Sequence, residues 1–271
     1  MYFKHLLSLN IITCFLLSYS SLSYSHQENT KASAISEGGR LYDKWWQEYG
    51  LKSPVKSHPA YPANGKKKGA TTWRCKECHG WDYQGDKGAY SKGSHYTGIK
   101  GINDFAGVPT RKIIKILKDR NHQYDSVMLE PGLQKIALFV SQGQSNASFF
   151  IDSKTKKARG DQGLGQHVFA DKCVRCHGID GKDINFKDAN NPEFIGTVAG
   201  ENPWEALHKI YNGHPGSVMS HHFMMHGKRS IRQRRNIGLI QPMESMPSMR
   251  DELSDKGIMH LLTYMQTLPK K

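Results

Sequence analysis

Two pentads of the form Cys-x-x-Cys-His constrain this chain more than any other feature: Cys75-Lys76-Glu77-Cys78-His79 and Cys173-Val174-Arg175-Cys176-His177. Of its five cysteines, only Cys14 lies outside them. In an exported chain this pattern is the attachment signature of c-type haem. Two thiols add across the vinyl groups of one porphyrin edge, and the adjacent histidine reaches the iron as proximal ligand. Other uses of the same residues fit less well. A zinc site built from both pairs expects roughly 15–20 residues between them, whereas Cys173 lies 95 positions after Cys78. A thioredoxin-like dithiol needs a strand before it and a helix after it, and neither pentad has an apolar strand upstream. Structural disulfides suit an oxidising compartment but leave the two matched histidines unexplained. The sequence therefore predicts two covalently bound haem c groups, one on Cys75 and Cys78, the other on Cys173 and Cys176. His79 and His177 are the proximal ligands.

The amino terminus predicts the export that this chemistry needs. Residues 1–5 carry Lys4 and no acid, residues 6–17 are mostly apolar, and Ser23-Tyr24-Ser25 puts small residues where a signal peptidase reads. That is the pattern of a cleaved signal peptide over 1–25, and it makes the mature protein periplasmic and removes Cys14. An uncleaved anchor is the alternative, although the apolar run is short and broken by Asn10. No later stretch approaches the ~18–20 apolar residues that span a bilayer, and a hydrophobic content of 37% excludes a membrane-embedded bundle.

Thirty-eight Lys and Arg oppose 24 Asp and Glu, a formal charge of +14. The positive residues cluster at 66–68, 154–159, 228–235 and 270–271. Any single cluster is an ordinary solvated face. Together they favour redox partner proteins with an acidic docking surface, because complementary charge speeds and orients encounter. Peripheral contact with an anionic membrane is a second possibility. Nucleic acid is excluded by export and haem.

Periodicity predicts an all-α chain without strand-rich stretches. In the second half, residues 165–169 lead into the pentad as a short helix. Another helix opens at Pro203 and closes near Gly213, with Trp204, Leu207, His208 and Tyr211 on one face. A last helix follows the N-cap Ser254, carries Ile258, Leu261, Leu262 and Met265, and stops at Pro269. The first half repeats the train. Thr110 caps a helix bearing Ile113, Ile114 and Leu117, and residues 131–143 form a second with Leu133, Ile136, Ala137 and Val140 inward. An extra amphipathic helix over 37–49 precedes the first pentad, with Leu41, Trp45, Trp46 and Tyr49 as its apolar stripe. A proline- and lysine-rich loop (52–69) joins it to the haem segment, and 153–163 reads as a solvated linker between halves. The expected domains are 26–152 for haem 1 and 164–271 for haem 2.

Both halves resemble class I c-type cytochrome domains: a helix, Cys-x-x-Cys-His-Gly, an intermediate helix, a distal-ligand loop and a closing helix. The fit is good from Gly165 to Pro269, including Leu253-Ser254-Asp255 and Tyr264-Met265-Gln266-Thr267-Leu268-Pro269. It is looser in the first half, where Leu41-Tyr42-Asp43-Lys44-Trp45-Trp46 and Trp73-Arg74-Cys75 resemble periplasmic dihaem cytochromes, some associated with sulfur-compound oxidation. The resemblance implies a distal ligand just before each closing helix. Met246-Pro247, seven residues before Leu253, occupies the register of the family's Met-Pro motif, so Met246 is expected on haem 2, with Met219, Met243 and Met249 as competitors. The same register before Leu129 holds His122, giving haem 1 two histidines, with Met128 and His95 as alternatives. Imidazole–imidazole ligation gives the lower potential and imidazole–thioether the higher. The expected function is single-electron transfer from haem 1 to haem 2. A haem oxidoreductase resembling thiosulfate dehydrogenases or peroxidases is the alternative, weakened because no cysteine remains to serve as an unusual ligand. A third is an electron-transfer subunit of a larger complex. The His-, Met- and Arg-rich stretch 219–245 reads as a docking loop over haem 2, since three histidines without a carboxylate make a poor copper site. Mass spectrometry of the exported chain should find the added mass of two haem groups; an unmodified chain would sink this reading.

Overall fold

A computed structural model describes residues 31–216 and 246–270. The signal-peptide segment and the 219–245 stretch, with Met219 and Met243, lie outside the described residues. Within them the chain is helical, and its only pairings of extended backbone are isolated bridges between Gly85 and Lys100 and between Ile151 and Ala158. The helices are α1 (31–48), α2 (Cys75–His79), α3 (Thr110–Leu117), α4 (Glu130–Gln142), α5 (Ala147–Phe150), α6 (Gln162–Lys172), α7 (Val174–His177), α8 (Ile195–Glu201), α9 (Pro203–Asn212) and α10 (Asp255–Met265). Among the described residues none is long and apolar enough to cross a membrane.

The second half is built on a crossing of α6 and α10. The Asp161 side chain caps α6 by accepting from Leu164 N at 2.8 Å, and Ser254 caps α10 by accepting from Gly257 N at 3.2 Å. At the crossing a Cβ on Gly165 would run into the His260 carbonyl, so only glycine lets the backbones approach this closely. The first half has the same joint. A Cβ on Gly38 of α1 would strike the Lys135 carbonyl of α4, Lys135 Nζ meets Glu37 Oε1 at 2.6 Å, and Tyr42 packs on Phe139 with ring centroids 5.4 Å apart. Helix α1 is therefore not an addition to the first half, as its position far ahead of the pentad suggests. It occupies the place α6 holds in the second half, and the insertion is the 51–72 segment that follows it. It also begins earlier than expected, already helical at residue 31.

Other expectations shift in detail. Thr110 is the first helical residue, and the capping position falls on Pro109, which has no side-chain cap. Leu129 is itself the N-cap of α4 and is exposed, whereas Leu253 precedes the N-cap Ser254, so the two registers differ by one residue. The 153–163 segment is exposed at its lysines but is not a loose tether. It folds back through Asp152 N to Lys157 O (2.9 Å) and Arg159 N to Phe150 O (2.9 Å). It is also tied to α10 by Ala158 N to Gln266 Oε1, Gly160 N to Thr263 Oγ1 and Asp161 N to His260 Nδ1. Helix α6 begins inside it.

The halves are not separate beads. One apolar cluster joins α1, α3 and α4, but the second-half cluster also takes in Trp81, Tyr90, Ala147, Phe150 and Ile151. Helix α9 is buried on nearly all sides, Ala206 and Ile210 as well as the expected Trp204, Leu207, His208 and Tyr211. The reason is that α1 covers its outer face. His208 Nε2 bonds the Gly39 carbonyl at 3.0 Å and its Nδ1 meets Tyr83 Oη at 2.8 Å, while Arg40 Nη1 donates to Asn212 O at 2.8 Å. Substituting Gly38→Val or Gly165→Val should each cost about 1–3 kcal/mol by forcing a packed crossing apart, read as a lower denaturant midpoint of the purified protein. Unchanged midpoints would show that the crossings are not tight.

Candidate haem sites

The first pentad is held from both ends. A 3-10 turn, Gly69–Trp73, leads into α2, and Arg74 at its start bonds Asp43 of α1 through Nε to the carbonyl at 2.8 Å and through a side-chain ion pair. Burial alone would raise the Asp43 carboxyl, but that guanidinium together with Lys209 and His208 holds it well below the usual range. The two variable residues of the pentad are buried as well. Lys76 Nζ pairs with Glu77 Oε2 at 2.7 Å and lies 5.2 Å from the centre of the Trp81 ring. The turn after the histidine recurs in both halves: Gly80 and Gly178 take φ of 80° and 78°, a region open to glycine without strain.

Beside this pentad is a mostly apolar cavity of about 400 Å³ that Cys75, Cys78, His79 and His122 all line. The volume lies in the range of cofactor pockets, about 300–1,000 Å³. Its walls come from α3 and α4, through Ile113, Leu117, Ile136 and Val140, and from Ile99, Lys100 and Gly101 at the end of a glycine-rich loop over 93–101. The rings of His79 and His122 have centroids 6.3 Å apart and planes within 15°. Each ring uses Nδ1 elsewhere: His79 Nδ1 donates to Lys100 O at 2.8 Å, and His122 Nδ1 to Asp119 Oδ1 at 3.0 Å. That leaves Nε2 of both as the lone-pair nitrogen, the arrangement metal-ligating histidines adopt. Burial pushes His79 down to about 4, so it is neutral at physiological pH.

The competitors of His122 are occupied. Met128 is buried in the first-half core with its thioether against Gly132. His95 pairs with Glu77 Oε1 at 2.5 Å and stacks on Tyr90 at 4.6 Å. A third histidine lines the cavity that sequence reasoning did not select, His58. Both of its ring nitrogens are bonded, Nδ1 by Ala60 N at 3.2 Å and Nε2 to His122 O at 2.9 Å. No local pattern marks it; it sits in the proline- and lysine-rich loop, 64 residues from its partner.

In the second half Cys173 ends α6 and opens α7, where it is buried, while Cys176 is exposed. His177 is buried, which lowers its pKa, and its Nδ1 has no hydrogen-bond partner among the described residues. Met246 packs half-buried against the core cluster that contains Cys173 and Val174, and its carbonyl accepts from His214 N at 3.0 Å. Met249 is a buried core residue whose N–H bonds Ile210 O at 2.9 Å. The loop is clamped by both halves: Ser248 Oγ meets Ser36 Oγ at 2.8 Å, and Arg250 Nη2 reaches Gly143 O at 2.9 Å and Asn212 Oδ1 at 2.8 Å.

The chemistry of the cysteines separates haem attachment from dithiol redox work. None of the four is paired in a disulfide, and burial pushes the Cys75 thiol up to about 11 and those of Cys78 and Cys173 up to about 12. A thiol–disulfide centre works through a thiolate with a lowered value. The residues at the first pentad instead fit a porphyrin held by thioethers: a mostly apolar cavity lined by both thiols and by the imidazoles of His79 and His122.

Comparison with known proteins bears on the second half. Residues 163–269 match the family model for cytochrome c. No curated protein and no solved structure matches the chain. That match supports a c-type haem electron-transfer protein, with covalently bound haem c, through residues 163–269.

Proposed function

We propose that the chain is an exported dihaem c-type cytochrome that passes single electrons between redox partners. In this reading Cys75, Cys78, His79 and His122 hold haem 1, and Cys173, Cys176, His177 and Met246 hold haem 2. The observation that supports it most is the cavity at the first pentad, where two near-parallel imidazoles face one another beside both cysteines. The chemistry supplied by the bound group is the one-electron change between ferric and ferrous iron. The residues of the chain set where that change is favourable. The Lys100 carbonyl and the Asp119 carboxylate fix the two imidazoles and make them stronger donors. Isoleucine, leucine and valine walls exclude water, and low polarity disfavours the more highly charged state of the site. Methionine sulfur at the other site favours the reduced state, so electrons run from the first half to the second.

The positive surface gives this carrier acidic partners. The exposed residues Arg111, Lys112, Lys115 and Lys118 lie along α3, whose inner residues Ile113 and Leu117 wall the cavity. Long-range attraction of this kind is screened over about 10 Å at 0.1 M salt. Electron transfer to an acidic partner should slow steeply as salt rises, and a rate flat across salt would remove the charge argument.

A redox titration followed by absorbance should resolve two midpoints. His122→Met should raise the lower one and leave the upper in place, while Met246→His should lower the upper one. A pair of indistinguishable midpoints, or variants that move neither, contradicts the assignment.

A further inference from the structure

The 51–72 insertion has no counterpart in the second half, where Lys172, the last residue of α6, directly precedes Cys173. Within it His58 is buried, at 8% exposure. The segment is sewn to the lead-in of the first pentad. Trp73 Nε1 donates to Lys56 O at 2.8 Å, Gly69 N to Ser57 Oγ at 2.9 Å, and His58 N to Thr72 Oγ1 at 2.8 Å. The His58 ring stands edge-on to Trp73 with centroids 4.4 Å apart. Because Nδ1 accepts from Ala60 N, the proton sits on Nε2, and Nε2 donates to the carbonyl of His122 at 2.9 Å.

The distal loop is held to the pentad lead-in at a second point, where Tyr124 Oη donates to Trp73 O at 2.7 Å. Between the two points lies Gln123, with a left-handed φ of 52°. A side chain other than glycine keeps that conformation only where its surroundings enforce it.

We propose that the 51–72 segment is a latch on the distal loop and that His58 is a positioning residue, holding His122 over the first cavity by its backbone carbonyl. This rests on the reading of His122 as the sixth ligand of haem 1. The latch keeps that ligand in place and the haem closed to small external ligands, so that haem 1 exchanges electrons rather than binding substrate. The ring of His58 lines the same cavity, so its loss also opens space beside the ligand.

Carbon monoxide tests this on the intact holoprotein, because it binds ferrous haem 1 only after His122 leaves. The wild type should bind it slowly, and His122→Ala should bind it at once. His58→Ala should bind it roughly tenfold faster than wild type, the scale of one lost hydrogen bond to a buried carbonyl. His58→Leu keeps bulk against Trp73 but donates nothing, and it carries the same expectation if the alanine variant does not fold. His58→Gln, whose amide can donate to the same carbonyl, should restore slow binding. If His122→Ala opens the haem while both apolar variants at 58 bind as slowly as wild type, the latch is wrong and the ligand assignment stands. If His122→Ala leaves haem 1 closed, the ligand assignment itself fails. A glutamine variant as fast as leucine overturns the hydrogen bond as the cause.

Discussion

The double burial of α9 is the constraint on which the rest of the structure depends. The helix closes the core of the second half with Leu207 and Ile210, and its other face supports α1 of the first. A buried helix that is polar anywhere must have each polar group paired. Here His208 is paired to Tyr83 and Gly39, and Asn212 receives Arg40 and Arg250. Arg40 itself is buried against Glu48 at 2.8 Å, whose other oxygen accepts from Gly216 N at 2.8 Å. Removing one member of such a buried set costs more than the set adds, because an uncompensated charge remains. The two halves are consequently one cooperative body, with each distal loop anchored near the other half or near an insertion.

This arrangement explains why the two pentads, alike in sequence, lie in unlike settings. The first has Lys76 and Glu77 buried beneath Trp81 and Tyr90, at the seam between halves. The second has Cys176 at the surface and a distal loop clamped by Ser36 and Arg250. Burial and hydrogen bonding around a haem are among the levers that set its potential. Under the proposed assignment, two sites that differ in axial residue and in surroundings would suit unequal potentials within one chain.

Much of this was legible locally. The pentads are legible because their cysteines and histidines are contiguous, and the 3.6-residue period places α3, α4, α9 and α10. The inward residues of α4 (Leu133, Ile136, Ala137 and Val140) are buried as their spacing requires. His122 could be selected by register, although the registers differ by one residue once the caps are seen, and the tertiary structure brings it to the cavity beside His79.

The sequence by itself determined the helical class, the paired Cys-x-x-Cys-His motifs and the apolar stripes, since each is a property of a few adjacent turns of chain. Only the tertiary structure decided that α1 pairs with α4 as α6 does with α10, that α9 is buried on nearly all sides, that 153–163 is tied to α10, and that His58 grips the carbonyl of His122. Those contacts join residues many tens of positions apart, and no periodicity or composition carries them. They arise when separate apolar faces close on one another and the polar groups trapped between them must find partners.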